Sequence, residues 1–185
     1  MIYIFLAEGF EEIEALCPLD LLRRAGLDVR TVGIGGTKIT GAHGITVTAD
    51  IADANYTDHL PEMIILPGGM PGASNLDASS TVDTAIKCAV RNGAYIGAIC
   101  AAPMILGKRG LLIGKNATCF PGFEKYLTGA TVHSELPAVR DGLFITAAGM
   151  GAALEFGLKL VSVFKGAEFA EKLRHDVIAD RHTKK

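Results

Sequence analysis

The sequence predicts a three-layer α/β sandwich of the flavodoxin-like or Rossmann-like kind: a mainly parallel sheet with helices on both faces, in a single domain over residues 1–185. Three observations carry that expectation. Apolar runs recur at "IYIFL", "EMIIL", "AYIGAI" and "GLFITAA", as in strands buried on both faces. Amphipathic stretches with helical spacing and glycine stops lie between them. The two kinds of segment alternate, which is the order of βα units feeding a parallel sheet. With 185 residues, 49% hydrophobic and 21% charged, the chain is long enough to bury one core and is composed like a globular protein.

Taken in order, Ile2 to Leu6 form the first strand. The stretch "EGFEEIEALCPLDLLRRAG" follows as a helix, with Ile13, Leu16, Leu19 and Leu22 at helical spacing and Gly26 as the stop. Pro18 inside it is expected to kink or restart that helix. "DVRTVGI" is a second strand, and "TKITGAHGITVTAD" reads as short strands around glycine turns. "EMIILPGG" is a buried strand running into a glycine-rich loop. "SSTVDTAIKCAVRNG" is a helix opened by serine caps and closed by glycine. "AYIGAI" is a strand and "AAPMILGKRG" a helix. A stretch without clear periodicity comes next. "GLFITAA" then forms a strand, "GAALEFGLKLVSVFKG" a helix, and "AEFAEKLRHDVI" the last helix. Repeats, low-complexity segments and linkers are absent from the sequence.

Composition narrows the function. Net charge is −2, and the 18 basic residues are scattered apart from the final "RHTKK", so no basic stripe suggests nucleic acid. The start of the chain has no basic flank and no long apolar span, so neither a signal peptide nor a membrane helix is expected. A cytoplasmic location is the default. Cys17, Cys88, Cys100 and Cys119 form no C-x-x-C pair, and no histidine stands at a zinc-like spacing from another ligand. Metal and disulfide are therefore not expected.

Ligands of open α/β sheets bind at the carboxyl ends of strands. Three stretches fall there: "AEGFEEIEA", "LPGGMPGASN" and "GAICAAP". In the last, Cys100 ends a strand at a sharp turn whose neighbours Ala98 and Ala102 are small. Such an elbow projects one side chain into a cleft. A helix beginning at Ala101 would aim its free N–H groups at the sulfur and lower the thiol pKa. The alternative is a buried, inert cysteine. Glu11, Glu12 and Glu14 open the first helix, where carboxylates favour the dipole. Glu14 stands among apolar neighbours, and desolvation would keep it neutral and able to donate to a thiolate.

"AEGFEEIEALCPLDLLRRAG", "ILPGGMPGASNL" and "AICAAPMIL" resemble, in order and spacing, the ThiJ/PfpI superfamily. The similarity is to the branch of the Parkinson-disease-associated deglycase and its bacterial relatives, over essentially the whole chain. The resemblance implies that Cys100 is the reactive elbow cysteine and that protonated Glu14 donates to its thiolate. It also implies that the backbone N–H groups of Gly69 and Ala101 form an oxyanion hole. Gly68, Gly149, His43 and Phe120 are the further pocket candidates. Glyoxalase and deglycase activity on methylglyoxal-type compounds, oxidation sensing, holdase chaperoning and homodimerisation come with the family.

The departures also matter. Phe120 stands where several members carry a histidine that moves protons. His43 replaces an anion-binding arginine, with a surface turn residue as its plain reading. Met150 replaces a proline. Ala101 follows the cysteine where protease-like members have histidine, which disfavours a peptidase. His59, His133, His175 and His182 read as loop or helix-surface residues, and Cys17, Cys88 and Cys119 as packing thiols. Two classes remain. One is a cofactor-independent enzyme of stress defence acting on small 2-oxoaldehydes or their adducts. The other is a redox sensor or chaperone that signals through oxidation of Cys100 by a small oxidant.

Overall fold

The computed structural model describes residues 1–57 and 60–180. His59, His182 and the "RHTKK" tail lie outside the described residues. The chain opens with β1 (Ile2–Leu6) and β2 (Val29–Gly33), with α1 (Glu12–Arg24) between them. β3 (Lys38–Thr40) and β4 (Thr46–Thr48) make a separate antiparallel hairpin around the predicted glycine turn. β5 (Ile51–Ala52) and β6 (Met63–Leu66) return the chain to the sheet. After α2 (Gly72–Ala78) and α3 (Ser80–Asn92) comes β7 (Tyr95–Ile99), and α4 (Pro103–Lys108) follows it. β8 (Asn116–Ala117) and β9 (Thr131–Val132) pair with each other. β10 (Ala138–Asp141), β11 (Phe144–Ala147), α5 (Ala153–Lys165) and α6 (Ala167–Asp176) complete the fold.

The sheet runs β10-β11-β7-β6-β1-β2-β5. Every neighbouring pair is parallel except β10 with β11. Alternation along β1 explains the two cores. Ile2, Ile4 and Leu6 pack with Leu21 and Leu22 of α1 and Phe156, Leu160 and Val161 of α5. Tyr3 and Phe5 face the other way, into a cluster with Val82 and Ile86 of α3 and Met104 of α4. Both faces are covered, so the strands are apolar throughout. No helix among the described residues is long and apolar enough to cross a membrane.

Several local expectations are met. Ser79 Oγ accepts the Val82 N–H at 3.3 Å and caps α3, and Gly93 ends it at φ 69°. Others are corrected. α1 runs unbroken through Pro18, because packing against α5 outweighs the one backbone hydrogen bond that proline cannot make. A Cβ on Gly157 would lie 3.1 Å from Pro18 Cα and 2.5 Å from Leu21 Cδ1, so the two helices touch backbone to backbone there. The helix expected from Ala101 begins only at Pro103. The expected glycine-rich loop after β6 continues into the short α2. The stretch without periodicity contributes β8, β9 and the antiparallel edge strand β10.

Strand order reverses between β1 and β6: from β1 the chain winds to β2 on one side, and from β6 to β7 on the other. The crevice at the carboxyl ends of these strands is where such sheets bind ligands. The first turn of α1, the loop after β6 and the turn after β7 all open there.

Candidate active site

Cys100 follows β7 directly and holds φ at 65°, one of two non-glycine residues with positive φ among the described residues. The left-handed conformation costs an ordinary residue about 1–2 kcal/mol. Two backbone bonds fix it: its N–H donates to the Ala147 carbonyl at 2.8 Å, and its carbonyl accepts the Phe120 N–H at 2.9 Å. The backbone N–H groups of Gly69 and Ala101 favour the charged sulfur, and the neighbouring Glu14 carboxyl opposes it. Gly69 can aim its N–H this way at φ 83°, and a Cβ there would lie 2.3 Å from Glu11 N.

Glu14 is 1% exposed. It reaches the crevice because α1 starts at Glu12, so its first turn looks along the ends of β1 and β6. Oε2 accepts the Gly68 N–H at 2.9 Å. Gly68 must lack a side chain, since a Cβ would stand 2.6 Å from Glu14 Oε2 and 2.7 Å from Cys100 Cβ.

The two groups control each other's protons. Burial pushes the Glu14 carboxyl up to about 7, and the charge of Glu11 adds to it, against the hydrogen bonds from Cys100 and Gly68. Burial also pushes the Cys100 thiol up to about 12, helped by the Glu14 carboxylate and its hydrogen bond, while the two backbone N–H groups pull the other way. This corrects the sequence expectation of a thiol lowered by a helix terminus. The residues after Cys100 form a turn before a six-residue helix, so a full helix dipole does not bear on the sulfur. A thiolate is favourable here when the proton rests on Glu14. The pair then carries one negative charge, with the acid as donor and the sulfur as acceptor.

His43 is placed elsewhere. Its N–H donates to Glu12 Oε1 at 2.9 Å, and its Nδ1 lies 3.1 Å from Glu12 Oε2 and 3.5 Å from Glu11 Oε2, with the side chain 68% exposed. Glu12 also accepts the Ile45 N–H at 3.3 Å. The buried Glu12 thus clamps the β3–β4 turn onto α1, a task beyond the dipole role its position suggested. Glu11, Glu12 and His43 bring their ligand-capable atoms within 4.8 Å of one another. The Glu12 oxygens are already held by three donors, so this grouping reads as a structural clamp.

Phe120 and Gly149 do come to the cysteine. A Cβ at position 149 would lie 3.2 Å from Phe120 Cδ2 and 4.0 Å from Cys100 Sγ. Phe120 is half exposed at the end of a cavity whose other walls come from residues 134–137 and Met150. Residues 134–137 were missed in the sequence because they form an irregular connection with neither period nor motif. Cys17 lies at a different cavity, with Asp20, Arg24, Leu154 and Val177, and burial raises its thiol pKa. Cys88 and Cys119 are buried. His133 binds Asn116 and Glu135 on the surface, and His175 binds Asp180.

A family model described as DJ-1/PfpI family matches residues 1–163. The chain belongs to the DJ-1/PfpI family. It is 33% identical over 172 residues to Protein dj-1beta of Drosophila melanogaster, covering 92% of each chain. The crystal structure of Drosophila melanogaster DJ-1beta superposes with a TM-score of 0.90 at 31% identity, covering 96% of both chains. The chain is also 33% identical over 167 residues to a Caenorhabditis elegans relative named glutathione-independent glyoxalase DJR-1.2, covering 90% of this chain and 89% of that one.

Proposed function

We propose that this DJ-1/PfpI protein is a cofactor-independent, cysteine-dependent enzyme of stress defence in the cytoplasm, converting methylglyoxal-type 2-oxoaldehydes to 2-hydroxy acids. The observation that carries the reading is the buried Glu14 beside the half-buried Cys100, with two backbone N–H groups that favour the thiolate. The name of the glyoxalase relative supports the same chemistry.

In this scheme the Cys100 thiolate adds to the aldehyde carbon, and the aldehyde oxygen takes the proton from Glu14, giving a hemithioacetal. The N–H groups of Gly69 and Ala101 stabilise the charge that develops on that oxygen. Glu14, now a carboxylate with a pKa near 7, removes the proton from the former aldehyde carbon and returns it to the neighbouring carbon through an enediol. The product is a 2-hydroxy thioester, which water hydrolyses to release the acid and restore the thiol. The sum is aldehyde plus water to hydroxy acid, with no external oxidant or reductant. Phe120 carries no proton-transfer group, so the shuttling falls to Glu14 alone. A homodimer, with the half-exposed Ile13 and Ile45 on its contact face, is part of the same proposal.

The decisive assay follows methylglyoxal loss and lactate formation without glutathione, beside Cys100→Ser. Turnover by the wild type, lost at least about a thousandfold in Cys100→Ser as expected when a nucleophile is removed, supports the enzyme. Phe120 favours a second reading, in which Cys100 senses oxidants. The thiolate would take two oxygens from two peroxides, releasing two waters and leaving a sulfinate held by Glu14. A wild type that fails to turn over methylglyoxal yet accumulates Cys100 sulfinate under mild peroxide would replace the first reading with the second.

A further inference from the structure

Next to the thiol lies a cavity of about 510 Å³ walled by Phe120, Leu136, Pro137, Gly149 and Met150. Position, size and chemistry together say what it takes.

Its Gly149 corner is where the Phe120 ring and Cys100 Sγ converge, at 3.2 Å and 4.0 Å from a Cβ placed there. Glycine keeps that corner open. The walls are tied to the elbow through the Phe120 N–H on the Cys100 carbonyl and the Ala148 N–H on the Pro137 carbonyl, both 2.9 Å. A molecule bonded to the sulfur has this space beside it at the Gly149 corner. Ligand pockets begin at about 300 Å³, so a three-carbon aldehyde would leave most of 510 Å³ unfilled.

The lining holds no lysine or arginine, and its one charged residue is Glu135. An anionic or phosphorylated group finds no cationic side chain there and meets a carboxylate. Phe120, Leu136 and Met150 are 47%, 41% and 50% exposed. Covering them with an apolar group removes that surface from water, a gain of about 25 cal/mol per Å².

We propose that this cavity is the substituent pocket of the Cys100 site and selects neutral 2-oxoaldehydes bearing a bulky apolar or aromatic group. The proposal rests on the reading that Cys100 adds to aldehydes.

The test has two arms, each normalised to the reactivity of the same compound with N-acetylcysteine. In the first, initial rates give kcat/KM for phenylglyoxal and methylglyoxal, forming mandelate and lactate. A preference for phenylglyoxal of at least about tenfold is expected, since even one methylene in an apolar pocket discriminates about 10–200-fold. Leu136→Ser should reduce that ratio several-fold. In the second arm Cys100 is alkylated with N-benzyl iodoacetamide or iodoacetamide, the thiolate displacing iodide as the S–CH2 bond forms. The benzyl reagent should react faster in the wild type, and this advantage should shrink in Leu136→Ser. Benzyl preference without turnover of either aldehyde would uphold the pocket while ending the glyoxalase reading. Turnover of methylglyoxal with no preference in either arm would overturn the pocket and leave the enzyme standing.

Discussion

Burial sets Glu14 and Cys100 a common problem, because both ions are poorly solvated and the site holds only one negative charge comfortably. The first proton leaves the pair near pH 7 and the second is held to about 12. Between those values the charge is divided between carboxylate and thiolate in a constant ratio, so the thiolate fraction stops growing. A free thiol, with a pKa of about 8.5, keeps gaining thiolate about tenfold per unit up to that value. The alkylation rate of Cys100 should therefore climb to a plateau near pH 7 and stay flat to pH 9. Glu14→Gln keeps a hydrogen-bond donor but has no proton to exchange, and its rate should go on rising. Peptide mapping after timed iodoacetamide pulses measures both. A wild-type rate that keeps rising tenfold per unit above pH 8 would show that Glu14 and Cys100 titrate separately. Glu14 could be singled out in the sequence by its apolar neighbours. The direction of the thiol shift could not, because it depends on which group keeps the shared proton.

At the scale of elements, α1 carries Glu14 and is held in place by α5. Pro18 suggested a break in the sequence because proline cannot donate within a helix. Gly157, on a helix more than a hundred residues later, lets the Pro18 turn lie against α5. Local propensity marks strands and caps well here, as at Ser79 and Gly93. It says nothing of what a distant glycine permits. Gly157→Ala sets two effects against each other. Alanine gains about 1 kcal/mol of helix propensity, but its Cβ would meet the buried Leu21 at 2.5 Å and the Pro18 backbone at 3.1 Å. Leu21 borders the cavity at Cys17 and can give at its tip, but the Pro18 backbone can yield only if α1 moves. Overpacking costs about 1–3 kcal/mol, so the variant should be destabilised by about 1–2 kcal/mol, visible as a lower denaturation midpoint with an unchanged slope. Because α1 must shift, the plateau in Cys100 alkylation should weaken as well. A stabilised Gly157→Ala would mean that the helices separate freely.

Across the whole molecule, the site exists because the sheet reverses its winding between β1 and β6. The order of strands and helices made that crevice legible from sequence, and with it the three loops that carry Glu14, Gly69 and Cys100. The cavity beside them was not legible, since its outer wall comes from an irregular segment between β9 and β10. The hairpin of β3 and β4 was legible as short strands around a glycine turn, but not its departure from the sheet to fold back on α1 through Glu12. That return sets Ile13 and Ile45, 48% and 55% exposed, on either side of the Glu12 contact. Around them stand Glu11 and His43, whose imidazole pKa is raised by Glu12 and Glu11. A second copy turned about a two-fold axis would meet this face with its own isoleucines and could place a protonated His43 near the partner's acidic helix start. Sedimentation at neutral pH should give twice the chain mass. Ile13→Asp together with Ile45→Asp puts unpaired carboxylates into the contact, beside the existing ones. The double variant should dissociate more readily by at least about tenfold, as the loss of a central anchor does. Both side chains face solvent in the single chain, so the variant should keep its fold by circular dichroism. A double variant that sediments as a dimer at the same concentrations would move the contact to another face.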